Sequence, residues 1–400
     1  MVAAPPRGAG LEASLQAALE RRRSNGLLRS LSLSTGLSDF SSNDYLGLAR
    51  SPELIREIDA GVLQQRAVSE RLGSTGSRLL TGNSTLYEEV ESELAKFHRA
   101  ESALIFNSGY DLNLGLFACV PQHGDIVIFD DLIHQSVREG IKLCRAQSVS
   151  FSHNDVSALR HALEEASQGS DQLSGRRNII VAVESVYSMD GHCAPLAEFC
   201  DLVDAVGASL VVDEAHGTGV FGAEGRGWVS ELGLEDRVFC RVHTFGKAVG
   251  IHGAAMVGPL ALREYLVNYA WPLVYSTSLP THSLISIRCA YATMRRTAAA
   301  RQQHLRELIA LFHQRLKRLP PNCALSSPSP IQGIIVPGNA ECVSLAQLLQ
   351  RSGFDVKPIR SPTVPAGLER LRIILHAHNT REEVNCLMDV IESAMPGARL

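Results

Sequence analysis

The segment Val238-Phe-Cys-Arg-Val-His-Thr-Phe-Gly-Lys-Ala-Val-Gly250 combines the pattern of a buried strand with that of a ligand-binding loop. The apolar run Val238–Val242 predicts the strand, and the glycines after it let the backbone approach a ligand closely. Lys247 follows this strand at the position where open α/β sheets bind their ligands. In a partly desolvated pocket a lysine is readily neutralised and can form a Schiff base with a carbonyl group. A solvated loop lysine is the simpler interpretation, so the residues upstream decide between the two.

Length and composition indicate a globular enzyme with more than one domain. The chain has 400 residues, and single cores stop growing at about 250–300 residues. We expect an N-terminal helix and arm over 1–50, a large domain with the ligand site over 51–289 and a small C-terminal domain over 290–400. The apolar fraction of 45% and the charged fraction of 20% are ordinary for such an enzyme. A formal net charge of −4 argues against nucleic acid or an anionic membrane as a partner, and no apolar run is long enough to span a bilayer.

The cysteines and the two ends of the sequence bear on localisation. The nine cysteines are scattered singly, with no Cys-x-x-Cys pair, which favours a reducing compartment over a disulfide framework or a zinc site. Residues 1–10 lack a hydrophobic signal core and are expected to be a disordered lead-in. The last three residues, Ala398-Arg399-Leu400, have the small–basic–leucine form of a peroxisomal address. The expected localisation is therefore the peroxisome or the cytoplasm.

Short apolar runs alternate with helical patterns from about residue 100 onward. This alternation predicts an α/β fold with a mostly parallel sheet that helices cover on both sides. The predicted strands are Ala103–Phe106, Ile126–Phe129, Ile179–Val183, Leu210–Val212 and Val238–Val242. The polar stretch 168–177 is expected to be a surface loop.

Helix signals flank these strands on both sides. Leucines spaced four apart predict an N-terminal helix that ends at Asn25-Gly26. Capping boxes are predicted for Thr85 with Glu88 and for Thr380 with Glu383. A stripe of apolar residues from Leu305 to Leu316 predicts a long helix at the start of the C-terminal part.

Three interpretations of Asp213-Glu-Ala-His216 can be compared. A nucleotide hydrolase would need a phosphate loop of the form G-x-x-x-x-G-K-[ST]. The only Gly-Lys pair is Gly246-Lys247, which is followed by Ala248 and has Arg241 where the first glycine should be, so the motif is absent. A dinucleotide site is formally possible, since Gly217-Thr-Gly-Val-Phe-Gly222 matches G-x-G-x-x-G, but polar residues separate it from the strand. The third interpretation is a pyridoxal phosphate site.

Pyridoxal phosphate requires several groups that the strand ends supply. Its ring nitrogen must stay protonated, which a carboxylate such as Asp213 at the mouth of a buried strand ensures. His216 could hydrogen-bond the phenolic oxygen, and His134 could stack on the ring. The phosphate needs N–H and hydroxyl donors, which Ser108-Gly-Tyr110 at a helix start and Thr244 offer. No spacing of histidine, cysteine and acidic residues suggests a metal site.

On these residues the chain resembles the α-oxoamine synthases, fold-type-I pyridoxal-phosphate transferases that condense an amino acid with an acyl thioester and release carbon dioxide. The resemblance extends in the family's order from about residue 11 to residue 390. Its motifs are Ser42–Leu48, Gly73–Arg78, Asn107–Tyr110, Glu184–Gly191, Val212–Gly219, Thr244–Lys247, Tyr275–Ser278, Pro362–Pro365 and Arg370–Arg372.

The resemblance implies a role for each matching residue. Lys247 would hold the cofactor covalently and act as the base at the α-carbon of the amino acid, so Lys247, His134, Asp213 and His216 are the predicted catalytic residues. The predicted cofactor-binding set is Gly109, Tyr110, His134, Ser188, Asp213, His216, Thr244, Lys247 and Thr277, with Thr277 reaching the site from a second subunit. The predicted substrate-binding residues are Arg29, Asn43, Thr363 and Arg372, with Arg372 on the carboxylate of the amino acid.

Within the family the likeness is greatest to the enzymes of biotin synthesis, especially those of fungi. It implies that a homodimer with shared active sites condenses L-alanine with a pimeloyl thioester, on coenzyme A or a carrier protein, to give 8-amino-7-oxononanoate. A sibling activity on another amino acid or thioester and a non-catalytic scaffold subunit remain as alternatives. The chain departs from the family at Ile251-His252, where a smaller residue is usual, and at Leu112, where alanine is common.

Overall fold

The computed structural model describes residues 9–29, 31, 33, 36–66, 72–168 and 177–395. Its strands are β1 Ser38–Asp39, β2 Ser102–Phe106, β3 Ile126–Asp130, β4 Gln147–Phe151, β5 Ile179–Glu184, β6 Ser209–Asp213, β7 Cys240–Thr244, β8 Ala254–Gly258, β9 Ala324–Leu325, β10 Ile331–Ile335, β11 Phe354–Asp355, β12 Lys357–Ile359 and β13 Arg370–Ile374. Its α-helices are α1 Ala9–Ser24, α2 Pro52–Arg66, α3 Thr85–Phe97, α4 Gly109–Cys119, α5 Gln135–Leu143, α6 Val156–Gln168, α7 Leu196–Val206, α8 Trp228–Glu231, α9 Leu260–Tyr269, α10 Trp271–Val274, α11 Thr281–Leu316, α12 Asn339–Arg351 and α13 Arg381–Ala394.

Seven strands form the central sheet, in the order β2-β8-β7-β6-β5-β3-β4. β8 pairs antiparallel with both of its neighbours, and every other neighbouring pair is parallel. The predicted mostly parallel sheet is therefore confirmed, and all five predicted strands are present. The strand predicted over Val238–Val242 lies two residues later, because Phe239 is partly exposed and precedes the ladder.

Two strands of this sheet were missed. β4 is polar, with four of its five residues exposed, because it forms an edge of the sheet and so lacks the apolar signal. β8 reads Ala-Ala-Met-Val-Gly, and it is short of the β-branched and aromatic residues that mark strands.

Helices bury both faces of the central sheet. Along β5, Val181 and Val183 pack in the core cluster that includes α6 and α7, while Ile180 and Ala182 pack in the cluster that includes α4 and α5. Since both faces are covered, polar side chains that serve a ligand are confined to the strand ends.

The predicted helices are present, with one error in capping. The predicted capping box of Thr380 and Glu383 is formed at the start of α13. That of Thr85 and Glu88 is wrong, because Ser84 is the N-cap of α3 and accepts from the backbone N–H of Tyr87.

The C-terminal part has its own antiparallel sheet, in the order β12-β13-β10-β9. α12 packs against β12 and β13 of this sheet, and α13 packs against α11 and α12. A separate two-stranded parallel sheet, β1 with β11, joins the N-terminal arm to the C-terminal part. α11 runs through the predicted domain boundary at residue 289 as one continuous helix, and the stripe predicted from Leu305 to Leu316 is buried. The leucines of α1 are exposed in the single chain.

Three predicted features lie wholly or largely outside the described residues: the lead-in at 1–10, the loop at 168–177 and the C-terminal tripeptide. Among the helices that the structure describes, none is long and apolar enough to cross a membrane.

Candidate active site

A pocket of about 290 Å³ opens at the carboxyl ends of the central strands. Its walls are formed by the end of β5, the ends of β6 and β7 with their following loops, the start of α4 and the loop before α5. Eight of the predicted site residues line it, namely Asn43, Gly109, Tyr110, His134, Asp213, His216, Thr244 and Lys247. The structure therefore brings together residues that span more than 200 positions of the sequence.

One wall of the pocket is suited to an anion. α4 begins at Gly109 after its N-cap Ser108, whose hydroxyl lies 3.1 Å from the backbone nitrogen of Asp111. A Cβ on Gly109 would lie 2.3 Å from Cγ2 of Thr244, so only glycine lets the helix start approach β7 this closely. The buried hydroxyl oxygen of Thr244 has no hydrogen-bond partner among the described residues. A helix N-terminus beside an unpaired hydroxyl could hold a phosphate group.

Asp213 supplies a buried carboxylate at the end of β6. One of its oxygens accepts from Nδ2 of Asn113 at 2.7 Å, and the other accepts from the backbone N–H of Ala215 at 2.9 Å. Asn113 also donates to the hydroxyl of Ser136. These bonds fix the direction of the carboxylate, as a partner of a protonated ring nitrogen requires.

Lys247 lies at the pocket wall among groups that shift its protonation. Burial lowers the pKa of its ammonium group, and the nearby carboxylate of Asp213 acts in the opposite direction. Burial also raises the pKa of Glu184 well above its ordinary value, with Asp213 adding to the effect. A lysine with a lowered pKa has more of its amine in the free, nucleophilic form.

His134 caps its own helix. Its Nδ1 accepts from the backbone N–H of Ser136 at 3.2 Å and lies 2.7 Å from the hydroxyl of the same residue. Burial, followed by the charge of Lys247, lowers the pKa of the imidazole, although Asp213 opposes the shift. The ring is therefore neutral at pH 7 and is fixed in orientation, so its face could stack on an aromatic ligand.

His216 is buried and hydrogen-bonded to Tyr45, whose hydroxyl lies 2.6 Å from Nδ1. Burial lowers the pKa of His216 well below its ordinary value, and burial raises the pKa of Tyr45 to about 12. The hydroxyl makes a longer contact of 3.2 Å with Oδ1 of Asn43. If the Tyr45 hydroxyl donates along the shorter contact, Nδ1 of His216 is the acceptor. The neutral imidazole then carries its proton on Nε2, which could donate to a ligand oxygen.

The same network continues to Arg372. Its Nη2 donates to Oδ1 of Asn43 at 3.0 Å, and its Nε donates to the backbone carbonyl of Ser188 at 2.7 Å. Arg372 and Ser188 do not line the pocket themselves. Asn43 lines the pocket and accepts from Arg372, which in turn donates to Ser188, so both residues are connected to the pocket through Asn43.

Three predicted residues lie elsewhere in the single chain. Thr277 is exposed, and its carbonyl accepts from Nδ2 of Asn107. Arg29 and Thr363 are also exposed. Their segments meet through Arg360, whose guanidinium donates to the carbonyl of Gly26 at 2.5 Å and whose carbonyl accepts from the N–H of Thr363.

Sequence reasoning assigned no role to five residues of the site that the structure describes: Tyr45, Asn113, Ser136, Glu184 and His252. Asn113 lies one helical turn after Gly109 on α4, and this spacing indicates that its side chain is on the same face of the helix as the start of the pocket. His252 lines the pocket but belongs to no recognisable pattern.

The glycines that formally matched a dinucleotide motif serve internal packing. A Cβ on Gly217 would lie 2.0 Å from the Glu214 carboxylate. That carboxylate accepts from the backbone N–H groups of Trp228 and Val229 and from the hydroxyl of Ser185. The loop therefore wraps around a buried acid and gives the dinucleotide interpretation no support.

Comparison with known proteins agrees with this geometry. The family model described as aminotransferase class I and II matches residues 35–391. The 8-amino-7-oxononanoate synthase of Emericella nidulans is 45% identical over 398 residues, which cover 95% of each chain. The aminoacyl transferase sphA of Aspergillus fumigatus is 35% identical, over 94% of this chain and 85% of that protein. A serine palmitoyltransferase variant from S. paucimobilis with a bound PLP–myriocin aldimine superposes with a TM-score of 0.84 at 25% identity, over 98% of each chain.

The chain belongs to the aminotransferase class I and II family. Within it the chain is a member of the α-oxoamine synthases, with the fold-type-I architecture and the pyridoxal-phosphate-dependent acyl transfer of that group. The predictions of family, fold class and enzyme class are therefore confirmed, and so is pyridoxal 5′-phosphate as the cofactor of the family. The roles of the single residues stay predictions.

Proposed function

We propose that the chain condenses L-alanine with a pimeloyl thioester, with loss of carbon dioxide, to give 8-amino-7-oxononanoate for biotin synthesis. The observation that carries this proposal is the 45% identity, over almost the full length of both chains, to the Emericella nidulans protein of that name. The pocket supports it with eight of the residues predicted to bind pyridoxal phosphate or the substrate.

The cofactor-binding groups divide between the two ends of the pocket. The N–H groups of Gly109 and Tyr110 and the unpaired hydroxyl of Thr244 bind the phosphate. Asp213, held by Asn113, keeps the ring nitrogen protonated. When bound, pyridoxal phosphate supplies an electron sink for the amino acid substrate.

The remaining roles concern the ring and its phenolic oxygen. His134 stacks on the ring face as a neutral imidazole. His216, positioned by Tyr45, would donate from Nε2 to the phenolic oxygen. Ser188, which lies outside the pocket, keeps its predicted role at this oxygen only as an implication of the family resemblance.

Lys247 and Arg372 act on the amino acid. Lys247 would hold the cofactor covalently through its amine and would move the proton at the α-carbon of the substrate; its lowered pKa favours the free base that both roles need. Arg372 binds the substrate carboxylate, with its guanidinium oriented by Asn43 and by the carbonyl of Ser188. Arg29 and Thr363, whose segments meet at Arg360, contact the acyl substrate.

A homodimer completes the site in this proposal. Thr277 lies outside the pocket of its own chain and is exposed, so it is available to the phosphate site of a second subunit. The neighbouring Tyr275 and Trp271 are 81% and 63% exposed, and large exposed aromatic side chains of this kind favour a subunit interface.

The decisive test offers alanine, glycine and serine in turn against pimeloyl, succinyl and palmitoyl thioesters. Alanine with the pimeloyl thioester is expected to give the highest kcat/KM, and coenzyme A and carrier-protein forms are compared in the same assay. A preference for another pair contradicts the substrate assignment but not the enzyme class. The similarity to sphA favours such a sibling activity as the second candidate.

The role of Lys247 is tested separately. Borohydride reduction of the holoenzyme followed by peptide mapping should find the pyridoxyl group on Lys247, and Lys247→Ala should lose the covalent attachment and the activity. A label on another residue contradicts the role of Lys247. A purified protein without the visible absorbance band of the cofactor would instead indicate the scaffold alternative.

We further propose that the protein acts in the peroxisome or the cytoplasm. A fluorescent reporter that ends in Ala398-Arg399-Leu400 should enter peroxisomes. A reporter that stays in the cytosol contradicts the peroxisomal assignment alone.

A further inference from the structure

A second group of chemically active side chains lies outside the pocket, beside the turn that follows β5. Nε2 of His153 is 3.1 Å from Nδ1 of His192. One carboxylate oxygen of Asp190 lies 3.7 Å from the first nitrogen and 3.5 Å from the second. Two imidazole nitrogens and a carboxylate oxygen are a common ligand set for divalent transition metals.

The three distances fit a metal ion closely. A point equidistant from the three atoms lies about 2.0 Å from each, where zinc is bound at about 2.0–2.1 Å by nitrogen and 2.0–2.2 Å by oxygen. An ion displaced from that point to about 2.1 Å from each atom would lie about 0.6 Å out of their plane, and the three angles at it would run from about 95° to about 124° with an average of about 110°, close to the tetrahedral value. Asn154 Nδ2, 3.4 Å from His153 Nε2, has an alternative acceptor in the carbonyl of Cys193, so the histidine nitrogen can be released to a metal.

Asp130 orients this group as the outer carboxylate of a metal site would. It is fully buried, and its oxygens lie 3.0 and 3.2 Å from Nδ1 of His153. The backbone N–H groups of Leu132 and Asn154 donate to the same carboxylate. A carboxylate that accepts from Nδ1–H turns the Nε2 lone pair towards Asp190 and His192, which is the arrangement that orients metal-binding histidines.

We propose that His153, Asp190 and His192 bind a divalent transition-metal ion of the zinc class, with water as the fourth ligand. His192 is 41% exposed at its side chain, so an ion can enter from solvent. The sequence indicated no such site because the ligands come from separate segments. The cluster of Asp39, His376 and His378 is a poorer candidate, because Arg50 already donates to the Asp39 carboxylate.

The ion would brace the turn that supports the substrate arginine. Ser188, at the start of this turn, accepts from Nε of Arg372 through its carbonyl, and Gly191 accepts from the hydroxyl of Ser327. Asp190 and His192 lie between and beside these two anchor points. A bound metal would therefore stabilise the folded enzyme and hold the Ser188 carbonyl in place.

The test uses the full-length holoenzyme, freed of unbound cofactor, treated with EDTA and desalted. Zinc is titrated in competition with a chromophoric chelator, and cobalt(II) serves as a spectroscopic probe of coordination geometry. One equivalent should bind, cobalt should give the intense visible bands of a tetrahedral site, and zinc should raise the melting temperature. His192→Gln should weaken zinc binding by at least about 100-fold and Asp130→Asn by about 10- to 100-fold, since outer carboxylates contribute that much.

The matched control is His161→Gln, which removes an exposed histidine that faces Glu165 on α6 and should bind zinc as the unaltered protein does. Equal zinc affinity in His192→Gln and the unaltered protein would refute the proposal, as would the absence of a one-equivalent site in the latter. Anomalous scattering at the zinc edge from crystals of the unaltered protein gives an independent answer, because it locates the ion without any variant. None of these results depends on which substrates the enzyme uses.

Discussion

Tyr45 and His216 are 171 positions apart in the sequence, and the hydroxyl of the first lies 2.6 Å from Nδ1 of the second. Both side chains are buried, and burial keeps each of them neutral at pH 7: it lowers the pKa of His216 and raises the pKa of Tyr45 to about 12. The contact therefore orients the imidazole without adding a charge to the pocket. In the proposed function Tyr45 is a positioning residue, which would act on the cofactor through His216.

Tyr45→Phe should impair catalysis without unfolding the protein. It removes the hydrogen bond to the neutral imidazole of His216, worth about 1 kcal/mol, together with the longer contact to Asn43, so kcat/KM should fall at least about fivefold. The absorbance spectrum of the bound cofactor should also shift, because the His216 donor to the phenolic oxygen loses its orientation. Tyr265→Phe is the matched control, since it removes a hydroxyl that donates to the carbonyl of Cys119. An unchanged cofactor spectrum in Tyr45→Phe would show that the contact is structural only.

Asn113→Leu should weaken cofactor binding. The substitution keeps the approximate size of the side chain but removes the donor that lies 2.7 Å from the Asp213 carboxylate. Hydrogen bonds to charged groups contribute about 1.5–3 kcal/mol, so the dissociation constant for pyridoxal phosphate should rise at least about tenfold. Asn268→Leu on α9, where the amide donates to a backbone carbonyl, should leave the constant unchanged. Equal cofactor affinity in both variants would contradict the role of Asn113.

The sequence predicts the part of the site that depends on strand ends. Asp213, Thr244 and Lys247 each follow an apolar run, and parallel strands bring their carboxyl ends to one edge of the sheet. Neither Asn113 nor His252 follows an apolar run; Asn113 is marked only by its spacing of one helical turn from Gly109, and His252 by no pattern. Their contribution depends on how α4 and the loop after Lys247 pack, which local patterns do not record.

The two strands that sequence reasoning missed, β4 and β8, also lack a local sequence pattern. β4 is largely exposed because it is an edge strand, and β8 reads Ala-Ala-Met-Val-Gly, with a single β-branched residue, so neither has the composition that marks a strand. The pairing of Asp190 and His192 with His153 is likewise a consequence of β3, β4 and β5 lying side by side. Contacts between residues on different strands cannot be predicted from the sequence until the order of the strands is known.

Gly109→Ala should abolish tight cofactor binding, and a second substitution should restore it. The added methyl group would lie 2.3 Å from Cγ2 of Thr244, so the start of α4 would have to move away from the proposed phosphate site. Thr244→Ser removes that methyl group and keeps the hydroxyl, so the double variant should regain most of the affinity lost by Gly109→Ala. Gly73→Ala is the control, because no atom lies within 4 Å of its added Cβ. A double variant as weak as Gly109→Ala would mean that the contact with Thr244 is not the cause.

The buried pair His98 and His243 should make the stability of the fold depend on pH. Their rings stack with centroids 3.6 Å apart, and burial, reinforced by Arg241, lowers the pKa of each well below the ordinary value of 6.5. The unfolded chain therefore binds protons that the folded chain does not. This contribution to the free energy of unfolding is fully present above about pH 6.5 and is lost as the pH falls towards the folded pKa, by about 1.4 kcal/mol per pH unit for each histidine.

The measurement is the free energy of unfolding from urea titrations between pH 7 and pH 5, at one protein concentration. His98→Gln should reduce the slope against pH by about 1.4 kcal/mol per unit, because one of the two proton-binding differences disappears. It should also lower stability at pH 7, since the hydrogen bond to the Tyr291 hydroxyl at 3.0 Å is altered, so the slope rather than the absolute value is the informative quantity. His161→Gln, on the exposed face of α6, is expected to keep the slope of the unaltered protein. If His98→Gln kept that slope as well, the stacked pair would not be neutral in the folded protein, because only a histidine with a lowered pKa takes up protons on unfolding in this range.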